Sequence, residues 1–111
     1  MTATDIKTLF GLITDGIATL AKATTKEYVS EAKKDGQALV NAAKDNIIRW
    51  TTLLAEGKLT TEDFEWLMFR QKDLVLMSAL QQAGLAQIRI EGFKQGVIGI
   101  VIDSVFSFLK I

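Results

Sequence analysis

The sequence predicts an all-α protein, on three observations. Its 111 residues contain no proline, the residue that most often breaks or kinks a helix. Apolar residues recur at gaps of three and four along most of the chain, the spacing of one helix face rather than of a strand. One strong reversal signal, Glu56-Gly57-Lys58-Leu59-Thr60, lies near the middle. Together these predict a long antiparallel helical hairpin in a single domain, residues 1–111. Arm one spans 5–56, the turn 57–60 and arm two 61–110.

Arm one opens with Thr2-Ala3-Thr4-Asp5. Either threonine can cap the first turn, and Asp5 sits near the positive end of the helix dipole. Ile6, Leu9, Phe10, Ile13, Ile17 and Leu20 then share one face. Thr24 and Glu27 have capping-box spacing, which would start a second helix there. Against that, the stripe runs on in phase through Leu20, Thr24, Tyr28, Ala32, Gly36, Leu39, Ala43, Ile47, Trp50 and Leu54. The phase favours a continuous arm, or one mildly kinked near 22–26.

The turn carries the clearest local chemistry. Gly57 can adopt the left-handed conformation that ends a helix. Thr60 caps the next one, with Asp63 at the capping-box position. Leu59 and Phe64 are spaced as a hydrophobic staple. Glu62, Asp63 and Glu65 load the new helix's first turn with negative charge, which suits its dipole.

Arm two follows a strict alternation of three and four: Phe64, Leu67, Gln71, Leu74, Ser78, Gln81, Leu85, Ile88, Gly92, Gln95, Gly99, Ile102, Phe106 and Leu109. That is a partly polar coiled-coil seam. A second apolar set runs beside it, including Met68, Val75, Phe93, Val97, Val101 and Val105. One antiparallel arm covers one face, so the second face predicts assembly with further copies. Gly92, Gly96 and Gly99 mark a kink near 92–96. Residues 74–111 hold only five charged side chains, Arg89, Glu91, Lys94, Asp103 and Lys110.

The inventory argues against catalysis. Cysteine and histidine are absent, which removes thiolate and imidazole ligands and the commonest general base. No catalytic, cofactor or metal residue is assigned, and no small-molecule substrate is indicated. Thirteen basic and thirteen acidic side chains cancel, so no net positive charge points to nucleic acid. The N-terminus lacks the pattern of a signal peptide, so the expected compartment is cytoplasmic by default.

The function expected is therefore a non-enzymatic, self-associating structural protein, a homo-oligomer or filament subunit built through the apolar faces of 64–111. Its partners are copies of itself. The assembly contacts expected are Leu85, Ile88, Gly92, Phe93, Gly96, Ile100, Phe106 and Phe108. The alternative is a membrane-associated protein whose apolar pole, 6–20 with 97–111, contacts lipid.

Overall fold

A computed structural model of the chain describes all 111 residues as an all-α protein. Five helices form: α1 (Ala3–Thr24), α2 (Val29–Ala55), α3 (Thr61–Phe69), α4 (Ser78–Ala83) and α5 (Gln87–Leu109). A single 3₁₀ turn, Lys26–Tyr28, joins α1 to α2.

The caps follow the local sequence. Thr2 accepts from the Asp5 amide while Asp5 accepts from the Thr2 amide, a complete capping box. Thr60 accepts from the Asp63 amide at 3.0 Å. Gly57 takes φ +73°, where an L side chain would meet its own backbone. Leu59 is half-buried against the core, and Phe64 is fully buried.

The two-arm geometry is corrected in both arms. Arm one is not continuous over 5–56. It breaks at Thr25–Tyr28, and α1 folds back along α2, with Thr14 Oγ1 donating to Gln37 Oε1 at 3.2 Å and the Lys44 ammonium 5.3 Å from the Phe10 ring centre. The reason is burial. A straight arm would be ~75 Å long at 1.5 Å per residue and would leave its stripe covered from one side. Folded back, the chain is 43 Å in its longest extent.

Arm two breaks as well. α3 ends at Phe69, residues 70–77 turn, α4 is short, and α5 begins at Gln87. There is no continuous coiled-coil seam over 64–109. As one helix it would have carried Ser78, Gln81 and Gln95 into the core, and all three are exposed instead. The breaks rotate Met68, Met77, Leu80 and Leu85 inward. In α5 the neighbouring set, Phe93, Val97, Val101 and Val105, faces the core. The expected kink near 92–96 does not occur, since α5 runs unbroken from 87 to 109.

The result is the hairpin doubled over at its midpoint. Gly16 still faces Ile100 and Gly96 faces Leu20, partners about equally far in sequence from Gly57. Doubling adds the contacts of α1 with α2 and of α3 with α5, where the Phe64 and Phe106 rings lie 5.9 Å apart. The architecture is an up-down-up-down bundle whose third member is broken into α3, a turn and α4. The end of α5 therefore lies beside the Gly57 turn.

This explains why the second apolar face needs no further copy for cover. The accessible surface is 6244 Å², close to the ~6,100 Å² expected of a folded monomer of this mass. Twenty-three hydrophobic residues form one core cluster.

Helix approach depends on three glycines. A Cβ on Gly16 would lie 2.5 Å from the Ile100 Cγ2 methyl, one on Gly96 2.9 Å from Leu20 Cδ2, and one on Gly36 2.9 Å from Ile17 Cγ2. Gly92 and Gly99 have open space where a Cβ would go. Gly16→Ala should therefore lower stability by ~1–3 kcal/mol through overpacking against a β-branched side chain. Gly92→Ala should raise it by ~0.5–1 kcal/mol through helix propensity. Urea melts of the two variants check the opposite signs.

Candidate functional site

Two kinds of feature stand out: polar ties that hold the broken third member in place, and the apolar surface that member presents.

The first tie is Asp35. Its side chain is buried, at 5% exposure. Its two carboxylate oxygens accept from the Ala79 amide at 3.1 Å and the Leu80 amide at 2.8 Å. Met77, the residue preceding α4, supplies no side-chain cap. An acid on α2 thus caps a helix 44 residues away, satisfying two amides that have no partner within α4. The sequence held one signal for it. Asp35 lies on the edge of the Ala32, Gly36 and Leu39 stripe, where a charge is costly unless paired.

The second tie is Lys94, also buried, whose ammonium donates to Asp73 Oδ1 and Glu91 Oε1, both at 3.0 Å. Burial alone would lower the Lys94 pKa. The hydrogen bonds to the two carboxylates outweigh it and hold the pKa above the ordinary lysine value. The hydrogen bond from Lys94 holds the Asp73 carboxyl below the usual carboxylate range, aided by the Lys94 and Lys72 charges. A third tie, Asn46 Nδ2 to Gln71 Oε1 at 3.0 Å, fixes the end of α3 to α2. At the opposite end, Arg89 donates to the Thr24 carbonyl at 2.8 Å and satisfies the C-terminus of α1.

The third member leaves large apolar side chains exposed among charged ones. Trp66, Phe69, Leu74 and Leu76 are four of the eight large hydrophobic residues left exposed, and they fall within eleven residues of sequence. Leu76 is 73% exposed and Trp66 59%. Arg70 stacks its guanidinium over the Trp66 ring at 4.6 Å. Acids stand at the start of α3, Glu62, Asp63 and Glu65, and bases at its end, Arg70 and Lys72.

The expected assembly residues separate. Leu85 and Phe93 are buried within the chain. Gly96 and Ile100 meet Leu20 and Gly16, and Phe106 meets Phe64. Phe108 is half-buried against the core. Ile88 is 83% exposed, and Gly92 is exposed beside open space. Trp66, Phe69, Leu74 and Leu76 were not among them: the spacing places Leu74 in the seam and the two aromatic residues beside the Gly57 turn, and neither position marks them as exposed.

An open groove of about 540 Å³ lies along α1 and α2, floored by Ile6 and Phe10 and edged by Lys7, Asp15 and Lys44. Helix α5 is long and apolar enough to cross a membrane by length and composition, with 39% of its most apolar window buried in the bundle. No protein-family model matches the chain. No curated protein and no solved structure matches it either.

Two outcomes follow from the ties. Asp35→Ala should lower stability by ~1–3 kcal/mol, because it leaves the buried Leu80 amide unpaired. Denaturant melts and the amide exchange rate at Leu80 check this. For the Lys94 pair, the depressed Asp73 pKa contributes stability above ~3.9 that is lost as pH falls through the folded value. The raised Lys94 pKa contributes stability below ~10.4 that is lost as pH rises through the folded value. Urea midpoints measured against pH should fall at both ends, and Asp73→Asn should flatten both limbs.

Proposed function

We propose that this chain is a non-enzymatic helical assembly protein that pairs with a second copy of itself through α3 and the turn that follows it. The observation that carries this reading is the concentration of exposed Trp66, Phe69, Leu74 and Leu76 on one short stretch of a surface otherwise well covered. Large apolar side chains exposed together and flanked by charge are a usual mark of a protein contact.

Charge order favours a second copy as the partner. α3 is acidic at its start, and Arg70 and Lys72 follow its end ahead of Asp73, with Trp66 and Phe69 between the two signs. Two such helices placed antiparallel about a two-fold axis set Glu65 and Asp63 of each against Arg70 and Lys72 of the other. Trp66 and Phe69 then meet at the centre, where binding energy concentrates. The zero net charge of the chain opposes no such approach.

Membrane contact is the second reading, favoured by the length and apolarity of α5. The Ile6 and Phe10 groove, edged by Lys7 and Lys44, would then meet the lipid headgroups.

Light-scattering mass after size exclusion separates the two. The pairing reading expects the wild-type chain at twice 12.2 kDa in the absence of lipid. Trp66→Glu, kept dilute, should run at 12.2 kDa with its helix content unchanged. A single-chain mass for the wild type at every concentration contradicts the pairing. Co-sedimentation of that monomer with anionic vesicles, lost on replacing Lys7 and Lys44 by Glu, would favour the membrane instead.

A further inference from the structure

The bundle reverses at three places, and they are not built alike. Gly57 and Gly84 supply the positive φ that two of them need, at +73° and +91°. The third places Lys26 at φ +47°, a conformation that an L side chain resists. No side chain caps either the 3₁₀ turn that begins there or α2 after it. The stretch is otherwise suited to helix. Ile17, Ala21 and Thr25 are buried at successive gaps of four, and Tyr28, Ala32 and Gly36 continue inward in the same phase. Straightened at this point, α1 and α2 would form one helix with a single unbroken apolar face.

The contacts of the fold divide accordingly. Leu20 with Gly96, Thr24 with Arg89, Asp35 with Leu80 and Asn46 with Gln71 join residues about equally far from Gly57. These belong to the hairpin and survive straightening. Thr14 with Gln37, Ile17 with Gly36, Phe64 with Phe106 and Asp73 with Lys94 join one half of the hairpin to the other. One half is α1 with α5. The other is α2 with α3 and α4. The chain passes between them at two places, 25–28 and 84–86, and the bond from Arg89 to the Thr24 carbonyl holds these crossings side by side.

We propose that the two crossings are hinges and that two copies of this chain exchange halves. The α1 and α5 pair of each chain then packs on α2, α3 and α4 of the other, and every contact made by doubling over forms again between chains. The occupant of each opened half is a second copy because the surface that opening uncovers is shaped for the half that left it. Relief of the strain at Lys26 favours the open form, and the in-phase stripe lets the straightened arm keep its apolar face on one side. This exchange concerns a different surface from the α3 pairing and stands if α3 proves to bind something else.

The absence of cysteine allows a direct test by paired cysteines. Thr14→Cys with Gln37→Cys spans the two halves, at surface positions whose side chains touch. Asn46→Cys with Gln71→Cys lies within one half. Each pair is placed in a Trp66→Glu background, so that α3 pairing does not contribute. The chains are refolded over a range of concentrations, linked with a short bis-maleimide and run on a denaturing gel. Exchange predicts a covalent dimer from the first pair. Its share of the chains should rise about tenfold for a tenfold rise in chain concentration while the dimer is the minor species. The second pair should give monomer throughout. Adding Lys26→Gly to the first pair, which eases the closed turn, should reduce its dimer severalfold. Monomer alone from both pairs, or dimer from both in equal measure, overturns the exchange.

Discussion

The carboxylate of Asp35 is the interaction on which the arrangement of the second half of the chain depends. A six-residue helix with no cap of its own has little reason to form in water. Two charge-assisted hydrogen bonds from α2 give α4 its start and fix where it lies. With α4 in place, Met77 and Leu80 are held in the core and the chain is returned to the position from which α5 begins. Lys94 on α5 and Asn46, also on α2, hold the intervening turn through Asp73 and Gln71. The broken member of the bundle is therefore pinned by polar groups on the two helices that flank it.

What those ties fix is a competition between length and cover. A hairpin of two straight arms satisfies most local preferences of this sequence, the Thr24 and Glu27 spacing excepted. It leaves too much apolar surface in contact with water, at a cost of roughly 25 cal/mol for each Å². Doubling the hairpin over buries most of the second apolar set of the second arm, Met68, Phe93, Val97, Val101 and Val105, within one chain. It costs a left-handed lysine, an uncapped helix start and the helical hydrogen bonds of residues 70–77. The glycines that accept Ile100, Leu20 and Ile17 let the helices approach closely enough for burial to exceed those costs.

The parts of this fold that were legible in the sequence are those governed by neighbours in sequence. Thr2 with Asp5, Gly57, and Thr60 with Asp63 are local caps and turns, and spacing alone locates them. The pairing of α1 with α5 also followed, because a turn at Gly57 sets which residues face each other. The doubling did not. It is decided at Thr25–Tyr28 and at 70–86, where the residues permit helix and long-range burial overrides them. Asp35 and the Asp73 partner of Lys94 were passed over for the same reason, since these contacts span 44 or 45 and 21 residues. The surface offered by Trp66, Phe69, Leu74 and Leu76 becomes visible only once the helix is known to end at Phe69.

Small-angle X-ray scattering from dilute protein, with the mass determined on the same sample, tests the doubled hairpin most directly. At single-chain mass the account predicts a radius of gyration near 13.8 Å, as measured over the Cα atoms, and a longest dimension close to 43 Å before hydration. A rod of single-chain mass approaching ~75 Å, the length of two straight arms, would contradict it.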